Sequence, residues 1–535
     1  MKTIVRAALA AVSLAAFVQP AHAEWRQAKS KHFLVYGDMS EADLRRRTER
    51  LERFDAAMRS LFKIDEQNQG VGVIYVLNSL SEVQNMFGKG GGSVLGFYNS
   101  TAQESHGFVP EKLPFDVPGM TPEVVLFHEY THHIQLSTAT EFFPGWMTEG
   151  FAELFDTAEL RDDGSVVIGA PNPSRSRELN GMNRWTVERL LDSDDNPPKP
   201  DEHIEFYSRG WLTLHYLLFG GTGRSGQLFK YIDLINAGRR PLDAGREAFG
   251  DLGKLNSELE RYMRGGRINK MVINASDLKE DKSMELRLLT PGEAAMLPLR
   301  MQSAWGVNAE TAPRLVQPAR SVAAQYPNDA FVQRALVEVE YDAKNYAESD
   351  AAADRLLALD PQNVMAMVYK GRIAARLALR DKEPARWRTA RSWFIRANRA
   401  DPNHPLPLIM WYDSFVAAGD PVPEAAVTGL RRAIILVPQD PTLRMRMGVE
   451  LVRAGELPLA KTILAPVAFD PHGSGKNPYA KLLKAINDGA TPAELGAKLV
   501  ELKIDRFNEF TPPSNDEDKP AEGGDNTKDG KKAGN

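Results

Sequence analysis

The sequence predicts an α+β domain followed by an all-α array of helical repeats. Across residues 24 to 285, short β-branched or aromatic runs alternate with segments of helical periodicity. From about residue 290 to about residue 500 the strand signals disappear, and turn prolines recur at similar spacings. The length of 535 residues, with 43% hydrophobic and 26% charged residues, suits two or three globular domains.

Charge and composition narrow the possible chemistry. The formal net charge of −5 provides no basic surface for a phosphate backbone, so we expect no nucleic-acid partner. The chain has no cysteine, which excludes disulfides, thiolate nucleophiles and Cys-ligated metals. Any metal ion must therefore be bound by histidine and carboxylate side chains.

The first 23 residues have the pattern of a secretory signal peptide. Basic residues precede the apolar run from Ala7 to Val18, and Ala21 to Ala23 form a small-x-small cleavage site. The 12 residues of this run fall short of the about 20 that span a bilayer, which favours cleavage near Ala23 over an uncleaved anchor helix. We expect a mature protein that is periplasmic or secreted, with no stable membrane insertion.

The first domain, residues 24–285, is predicted to begin with strands that flank a long helix. β-branched and aromatic residues indicate the strands, and a helical period indicates the helix. The predicted elements are strands over His32–Tyr36, Val71–Leu77 and Val94–Tyr98, a helix over Glu41–Phe62, and a final pair of strands over Arg267–Ala275 and Met284–Leu289.

A second helix is predicted to carry a metal-binding motif. Thr121 is a favourable N-cap, and Pro122 is a favourable first helical residue. His128 and His132 are four residues apart, so both imidazoles lie on one helix face where they can bind one metal ion. Glu129 is placed to accept a proton from a water molecule at the metal. This HExxH pattern predicts a metal-assisted hydrolase, in which zinc usually has a third protein ligand.

The residues that follow this motif resemble the gluzincin metallopeptidases. The segment Glu149-Gly150-Phe151-Ala152-Glu153 lies on the next predicted helix. In gluzincins the Glu before Gly completes a zinc site of two histidines and one glutamate, which implies Glu149 as the third ligand of one Zn²⁺ per chain. A carboxylate one turn later orients a ligand histidine in that family, which implies this role for Glu153.

A third segment extends the resemblance. Tyr207-Ser208-Arg209-Gly210 leads into an apolar helical run, as in aminopeptidase-type gluzincins. The similarity implies that the Tyr207 hydroxyl stabilises the oxyanion of the reaction. The resemblance spans roughly residues 24 to 285 and is closest to the peptidase MA superfamily. It implies a zincin-like, thermolysin-like fold for the first domain.

One segment departs from the aminopeptidases of that superfamily. Their Gly-Ala-Met-Glu-Asn strand carries a glutamate that binds the free amine of the substrate, whereas the comparable residues Gly92 to Asn99 include no acid. We expect this segment to be an edge strand that lines the cleft and pairs with an extended peptide. Endopeptidase and exopeptidase action both stay open.

Residues 286–507 are predicted to form tetratricopeptide-like repeats. A proline spacing near 34 residues is typical of that family, and the turn from Leu359 to Asn363 resembles its inter-repeat turn. The resemblance implies a superhelix that binds protein segments, with residues 508–535 as a disordered tail. Small residues are expected where paired helices meet. These are Gly371, Ala390, Ala426, Gly448 and Ala460.

Together these features predict a secreted or periplasmic zinc metallopeptidase that acts on a peptide or protein and binds a protein partner through its repeats. Two alternatives stay open. One is an inactive or highly selective scaffold whose function resides in the repeats. The other is a hydrolase that attacks a non-peptide carbonyl with the same residues. Two imidazoles and one carboxylate favour zinc, although other first-row metals accept the same ligand types.

Overall fold

A computed structural model describes residues 24–64, 71–116, 118–173, 175, 185–265, 268–468, 477–505 and 508–510. The predicted signal peptide, residues 1–23, and the segment 511–535 lie outside the described residues. Most of the described chain is helical, with a mixed α/β part followed by a longer all-helical part. Within these residues, no helix combines the length and the apolar character that crossing a membrane requires.

The strands form two sheets. They are β1 (Arg26–Lys29), β2 (Phe33–Gly37), β3 (Gly72–Leu77), β4 (Phe97–Asn99), β5 (Ser105–Pro110), β6 (Glu159–Leu160), β7 (Val166–Ile168), β8 (Met271–Ile273) and β9 (Glu285–Leu288). The larger sheet has the order β4-β5-β3-β2-β1-β9. Strands β2, β3 and β5 are parallel, and β4 lies antiparallel to β5 at the edge, as expected for an edge strand near Val94–Tyr98.

The two predicted final strands form, as β8 and β9 within the predicted ranges, but they do not pair with each other. Strand β8 joins β7 in the smaller sheet, whereas β9 pairs with β1 in the larger one. Strand β9 forms its antiparallel ladder with β1, where Arg26 lies opposite Leu288. Strand β1 buries only Ala28 fully, so its sequence lacks the alternation that would have predicted it.

The helices of the α/β part surround the larger sheet and connect it to the smaller one. They are α1 (Glu41–Phe62), α2 (Leu80–Phe87), α3 (Pro122–Thr138), α4 (Gly145–Phe155), α5 (Val187–Leu191), α6 (His203–Phe219), α7 (Ser225–Asn236), α8 (Pro241–Phe249) and α9 (Leu252–Arg264). Helix α1 has the predicted bounds because Ser40 caps its first turn, accepting a hydrogen bond from the Asp43 amide at 3.1 Å. Helices α1 and α3 pack together on one face of the larger sheet.

The all-helical part is built from successive helices of similar length. They are α10 (Pro291–Trp305), α11 (Ala312–Gln325), α12 (Ala330–Asp342), α13 (Tyr346–Leu359), α14 (Val364–Asp381), α15 (Pro384–Ala400), α16 (Pro405–Ala418), α17 (Glu424–Leu436), α18 (Pro441–Arg453), α19 (Leu457–Ala468), α20 (Pro478–Asn487) and α21 (Pro492–Glu501). Neighbours pack in pairs, α12 with α13, α14 with α15, α16 with α17 and α18 with α19. These pairs confirm the predicted helical repeats.

The predicted small residues lie at the contacts within the pairs. Gly371 faces the Phe394 ring so closely that a Cβ atom would overlap it, and Gly448 faces Leu464 in the same way. Residues Ala390, Ala426 and Ala460 are fully buried. Small side chains at these positions let each pair of helices approach closely.

The repeats pack against the α/β part. Helix α10 covers the second face of the larger sheet, where Leu297 and Met301 join Tyr75 and Phe108 in one apolar cluster. The guanidinium of Arg300, on the same helix, is buried with the Glu104 and Glu338 carboxylates around it. The two parts of the chain that the predicted boundary at residue 285 separates therefore share a buried interface.

The end of the described chain differs from the predicted tail. Residues 508–510 pack against the repeats, and Phe510 has 0% of its surface exposed. An aromatic side chain at this position anchors the segment in the helical part, so the predicted tail over 508–535 begins at least three residues too early.

Candidate metal centre

Helix α3 places the HExxH residues. The Thr121 hydroxyl accepts a hydrogen bond from the Val124 amide at 3.2 Å, and Pro122 is the first helical residue, as predicted. Two contacts fix the helix against α1. The Phe127 ring stacks on Phe54 with ring centroids 4.0 Å apart, and the Tyr130 hydroxyl donates to the Asp55 carboxylate at 2.6 Å. The opposite face of α3 carries His128 and His132, whose ring centroids are 5.0 Å apart.

Helix α4 brings the predicted third ligand to these histidines. Glu149 is 1% exposed, and its Oε2 lies 3.4 Å from His128 Nε2 and 3.7 Å from His132 Nε2. The three candidate ligand atoms all lie within 4.8 Å of one another. Tetrahedral zinc with bonds of about 2.0 to 2.1 Å separates its ligand atoms by about 3.3 to 3.4 Å. The observed separations therefore fit one zinc ion among the three side chains.

A close helix crossing brings Tyr207 to the same place. Helices α4 and α6 meet at Gly150 and Gly210, where a Cβ atom on Gly150 would lie 2.9 Å from the Gly210 backbone. Because each glycine lies close in sequence to a site residue, the crossing sets the distance between Glu149 and Tyr207. The Tyr207 ring centroid lies 6.4 Å from that of His128.

Tyr207 is suited to donate a hydrogen bond. Its burial, with the nearby Glu149 and Glu153 carboxylates, raises the pKa of its hydroxyl above 10.0, the ordinary value for tyrosine. The hydroxyl consequently keeps its proton at neutral pH. Helix α6 already begins at His203, so Tyr207 lies inside the helix rather than on the segment that leads into it.

Two carboxylates face the other nitrogen of His128. Glu153 Oε1 lies 3.8 Å and Asp156 Oδ2 lies 3.7 Å from His128 Nδ1. Glu153 also accepts two hydrogen bonds from the Arg175 guanidinium, at 2.7 and 2.6 Å. Glu153 thus lies where the sequence predicts a residue that orients a ligand histidine, but Asp156 shares this position without a competing arginine in the described residues.

Asp156 and Arg175 are absent from the sequence prediction. Asp156 could have been found, because residues 149, 153 and 156 follow helical spacing on one face of α4. Arg175 could not, because no periodic or motif signal connects it to a helix that ends 20 residues earlier. The contact of Arg175 with Glu153 depends on how the chain folds back onto α4.

The electrostatics of the cluster favour a bound cation. Glu149, Glu153 and Asp156 are all nearly fully buried around His128, and Arg175 pairs with only one of them. Burial lowers the pKa of His128, but the Asp156 and Glu149 carboxylates outweigh it and hold that pKa well above 6.5. Burial, together with the Glu153 charge, raises the pKa of Asp156 to about 7. A metal ion would compensate this concentration of buried negative charge.

The edge strand β4 lies next to the motif helix. The Tyr98 hydroxyl is 3.0 Å from His133 Nδ1, so His133 connects α3 to β4 rather than joining the ligand face. Within the described residues, no strand pairs with the outer edge of β4. Pairing of this edge with an extended peptide stays a prediction from the sequence.

A second histidine and carboxylate cluster has a structural explanation. His32, Glu52 and Asp55 also lie within 4.8 Å of one another. The Asp55 carboxylate, however, is already bound by Arg59 at 2.6 Å and by the Tyr130 hydroxyl at 2.6 Å. A cationic partner already compensates this cluster, so we assign it to the packing of α1 against α3.

Several solved structures are similar to part of this chain, among them two bacterial proteins. No protein-family model matches the chain, and no curated protein matches it. A thermophilic TPR protein of Thermus thermophilus is 15% identical with a TM-score of 0.28, over 40% of this chain and 99% of its own. PilF of Pseudomonas aeruginosa is 19% identical with a TM-score of 0.30, over 40% of this chain and 94% of its own. The helical repeats are thus assigned from their own helix pairs, and no comparison supports a peptidase.

Proposed function

We propose that this protein is a zinc-dependent metallopeptidase. The proposal depends on one observation: His128, His132 and Glu149 direct their ligand atoms to one point, with separations of 3.4 and 3.7 Å that suit tetrahedral zinc. These three side chains would hold the ion. A bound zinc ion supplies Lewis-acid activation of a water molecule and of a substrate carbonyl.

The remaining site residues supply the proton chemistry. Glu129 follows His128 on α3 and accepts the proton that the attacking water loses, then returns it to the leaving amine. The Tyr207 hydroxyl stays protonated and donates a hydrogen bond to the oxygen that becomes negative in the transition state. Asp156 holds the His128 ring in place through its Nδ1 side, and Glu153 lies beside it, paired with Arg175.

A peptide substrate is favoured by the position of β4. Its outer edge carries unpaired backbone groups beside the motif helix, where an extended peptide would add as a further antiparallel strand. The strand, the HExxH helix and the glutamate helix follow one another as in zincin-like peptidases, which supports the predicted fold class. The signal peptide supports action outside the cytoplasm.

The experiment that tests this proposal compares two glutamate substitutions on the same helix. Glu129→Gln removes the proton acceptor and keeps the ligands, so the variant should retain zinc and lose about 100-fold or more in peptide cleavage. Glu123→Gln, at the half-buried first turn of α3, weakens an ion pair with Arg50 and should leave zinc content and cleavage unchanged. Cleavage of a broad peptide library, read by mass spectrometry, measures the effect. Full activity of Glu129→Gln would contradict the mechanism.

A second candidate function is a protein-binding scaffold. The observation that favours it is that the helical repeats hold a short segment, residues 508–510, through both backbone and side-chain contacts. A scaffold of this kind would bind a protein partner whether or not the metal site is active. The two functions are compatible in one chain, since they use different surfaces.

A further inference from the structure

The first helices of the repeat pairs share one face, which we call the inner face. Helix α14 contacts α12 on one side and α16 on the other. Buried charged side chains project from this face: Arg372 from α14, Asp413 from α16 and Arg446 from α18. Asp413 and Arg446 are paired at 3.1 Å.

Residues 508–510 lie across the inner face, and their backbone is bound at several points. The Glu509 amide donates to the Asp413 carboxylate at 2.9 Å. The Arg376 guanidinium donates to the Glu509 carbonyl at 3.0 Å and to the Phe510 carbonyl at 3.3 Å. The segment itself is a turn, in which the Phe510 amide donates to the Asn508 side-chain oxygen at 2.8 Å.

Two side chains of the segment are recognised as well. The Glu509 carboxylate lies 3.2 Å from the Arg372 guanidinium. The Phe510 ring is fully buried, 6.1 Å from the Trp387 ring centroid and 5.7 Å from the Arg376 guanidinium carbon. The inner face therefore has one position for an acidic side chain and the next for an aromatic ring.

The groups that bind the segment also have partners inside the protein. Arg372 donates to Gln103 at 3.1 Å and faces the Tyr369 ring, and Arg376 donates to the Tyr341 hydroxyl at 3.1 Å. These contacts would keep the side chains in place without residues 508–510. The two arginines therefore form a preformed site in a groove of the inner face, and the Phe510 ring inserts beside it as part of the buried core.

We propose that this groove binds a protein partner that presents a short turn segment with an acidic residue followed by an aromatic residue. In the free chain, residues 508–510 fill the groove in cis, and the partner binds by displacing them. A tethered occupant acts at an effective concentration of order mM, so a competing segment must bind more tightly or be present in large excess to replace it. The inference rests on the protein-binding role proposed for the repeats and does not depend on the metal centre.

The test uses the full chain and a labelled peptide with the sequence of residues 506–513. Replacing Glu509 and Phe510 together by alanine weakens the cis occupant, so the peptide should bind this variant at least tenfold more tightly than the wild type. Adding Arg372→Ala should abolish that gain. A control peptide with lysine at the position of Glu509 and alanine at the position of Phe510 should not bind. Fluorescence anisotropy measures each affinity, with unfolding curves as the folding control.

Three results would overturn the proposal. They are equal peptide binding by the variant and the wild type, no binding by a variant that is folded, and a wild-type dimer by light scattering that the double substitution dissociates. The last result would make a second copy of the chain the occupant. If the variant does not fold, deuterium exchange of the wild type decides: excess peptide should increase exchange at residues 508–510, and unchanged exchange contradicts the inference. Zinc content and cleavage are not involved, so failure of the peptidase proposal leaves this test intact.

Discussion

At the scale of single residues, the centre depends on what orients the ligand histidines. Metal-bound imidazoles usually donate their second N–H to a carboxylate, which fixes the tautomer and the ring. Here Glu153 and Asp156 lie at nearly equal distances from His128 Nδ1, but Glu153 is bound by Arg175 on both oxygens. We infer that Asp156 accepts the imidazole N–H and that Glu153 positions Arg175.

The first prediction concerns Asp156. Asp156→Asn should weaken zinc affinity by about 10- to 100-fold, because the amide orients the His128 ring less strongly than a carboxylate does. Asp162→Asn, an exposed change in the turn between β6 and β7, serves as the control and should have no effect. Competition with a chelating dye measures the affinity. An unchanged affinity for Asp156→Asn would show that this carboxylate does not orient the ligand.

A second residue-scale prediction concerns pH. Burial, reinforced by the Glu338 charge and opposed by the Ser303 hydrogen bond, raises the pKa of Asp342 from 3.8 to about 7. Since the folded state binds this proton more tightly than the unfolded state, the wild type loses stability as pH rises from about 4 through about 7. Asp342→Asn cannot ionise, so its stability relative to the wild type should increase between about pH 5 and about pH 8. Thermal unfolding of both proteins at about pH 5 and at about pH 8 measures the difference in stability. A difference that does not change with pH would contradict the raised pKa of Asp342.

At the scale of elements, the site depends on how closely α4 approaches α6. The crossing at Gly150 and Gly210 leaves no room for a Cβ atom, since the neighbouring atoms belong to the backbone and cannot rotate away. The same crossing sets the position of Tyr207 relative to Glu149. The packing of α4 against α6 therefore also determines the geometry of the site.

The element-scale prediction is that Gly150→Ala destabilises the protein by about 1 to 3 kcal/mol, because overpacking forces the two helices apart. Gly226→Ala is the matched control, since a Cβ atom there meets open space. Chemical unfolding followed by circular dichroism measures both free energies. Equal stability of the two variants would mean that the crossing tolerates a methyl group and does not set the site geometry.

The elements also show what sequence alone can predict. Helix α1 and the start of α3 were predicted to the residue, because caps and helical period are local signals. The ligands His128, His132 and Glu149 follow from motif order and do converge. The pairing of β9 with β1, the Arg175 contact and the burial of Phe510 depend on segments distant in sequence, so no local pattern could predict them.

At the scale of the whole molecule, the repeats contact the α/β part next to elements that carry the candidate site. The Ala102 amide, in the loop between β4 and β5, donates to the Asp440 carboxylate at 2.6 Å. Arg444 donates to the carbonyls of Leu136 and Ala139, at 2.8 and 3.0 Å, where α3 ends. The repeats thus contact both the loop beside the edge strand and the end of the motif helix.

The whole-molecule prediction concerns the buried ion network at this interface. Arg300→Met should lower the free energy of unfolding by about 3 to 5 kcal/mol, because it leaves the Glu104 and Glu338 carboxylates buried without their cation. Arg314→Met, an exposed change on α11, should cost less than about 1 kcal/mol. Urea unfolding compares the two. A small effect of Arg300→Met would indicate that the interface adds little to stability.

The most direct measurement of the central claim is the zinc content of the purified full chain by elemental analysis, beside the His132→Ala variant. The account predicts about one zinc per wild-type chain and a loss of that zinc in the variant, because two ligands bind zinc far more weakly than three. Equal zinc in both proteins, or none in a folded wild type dialysed against zinc, would contradict a metal centre formed by His128, His132 and Glu149.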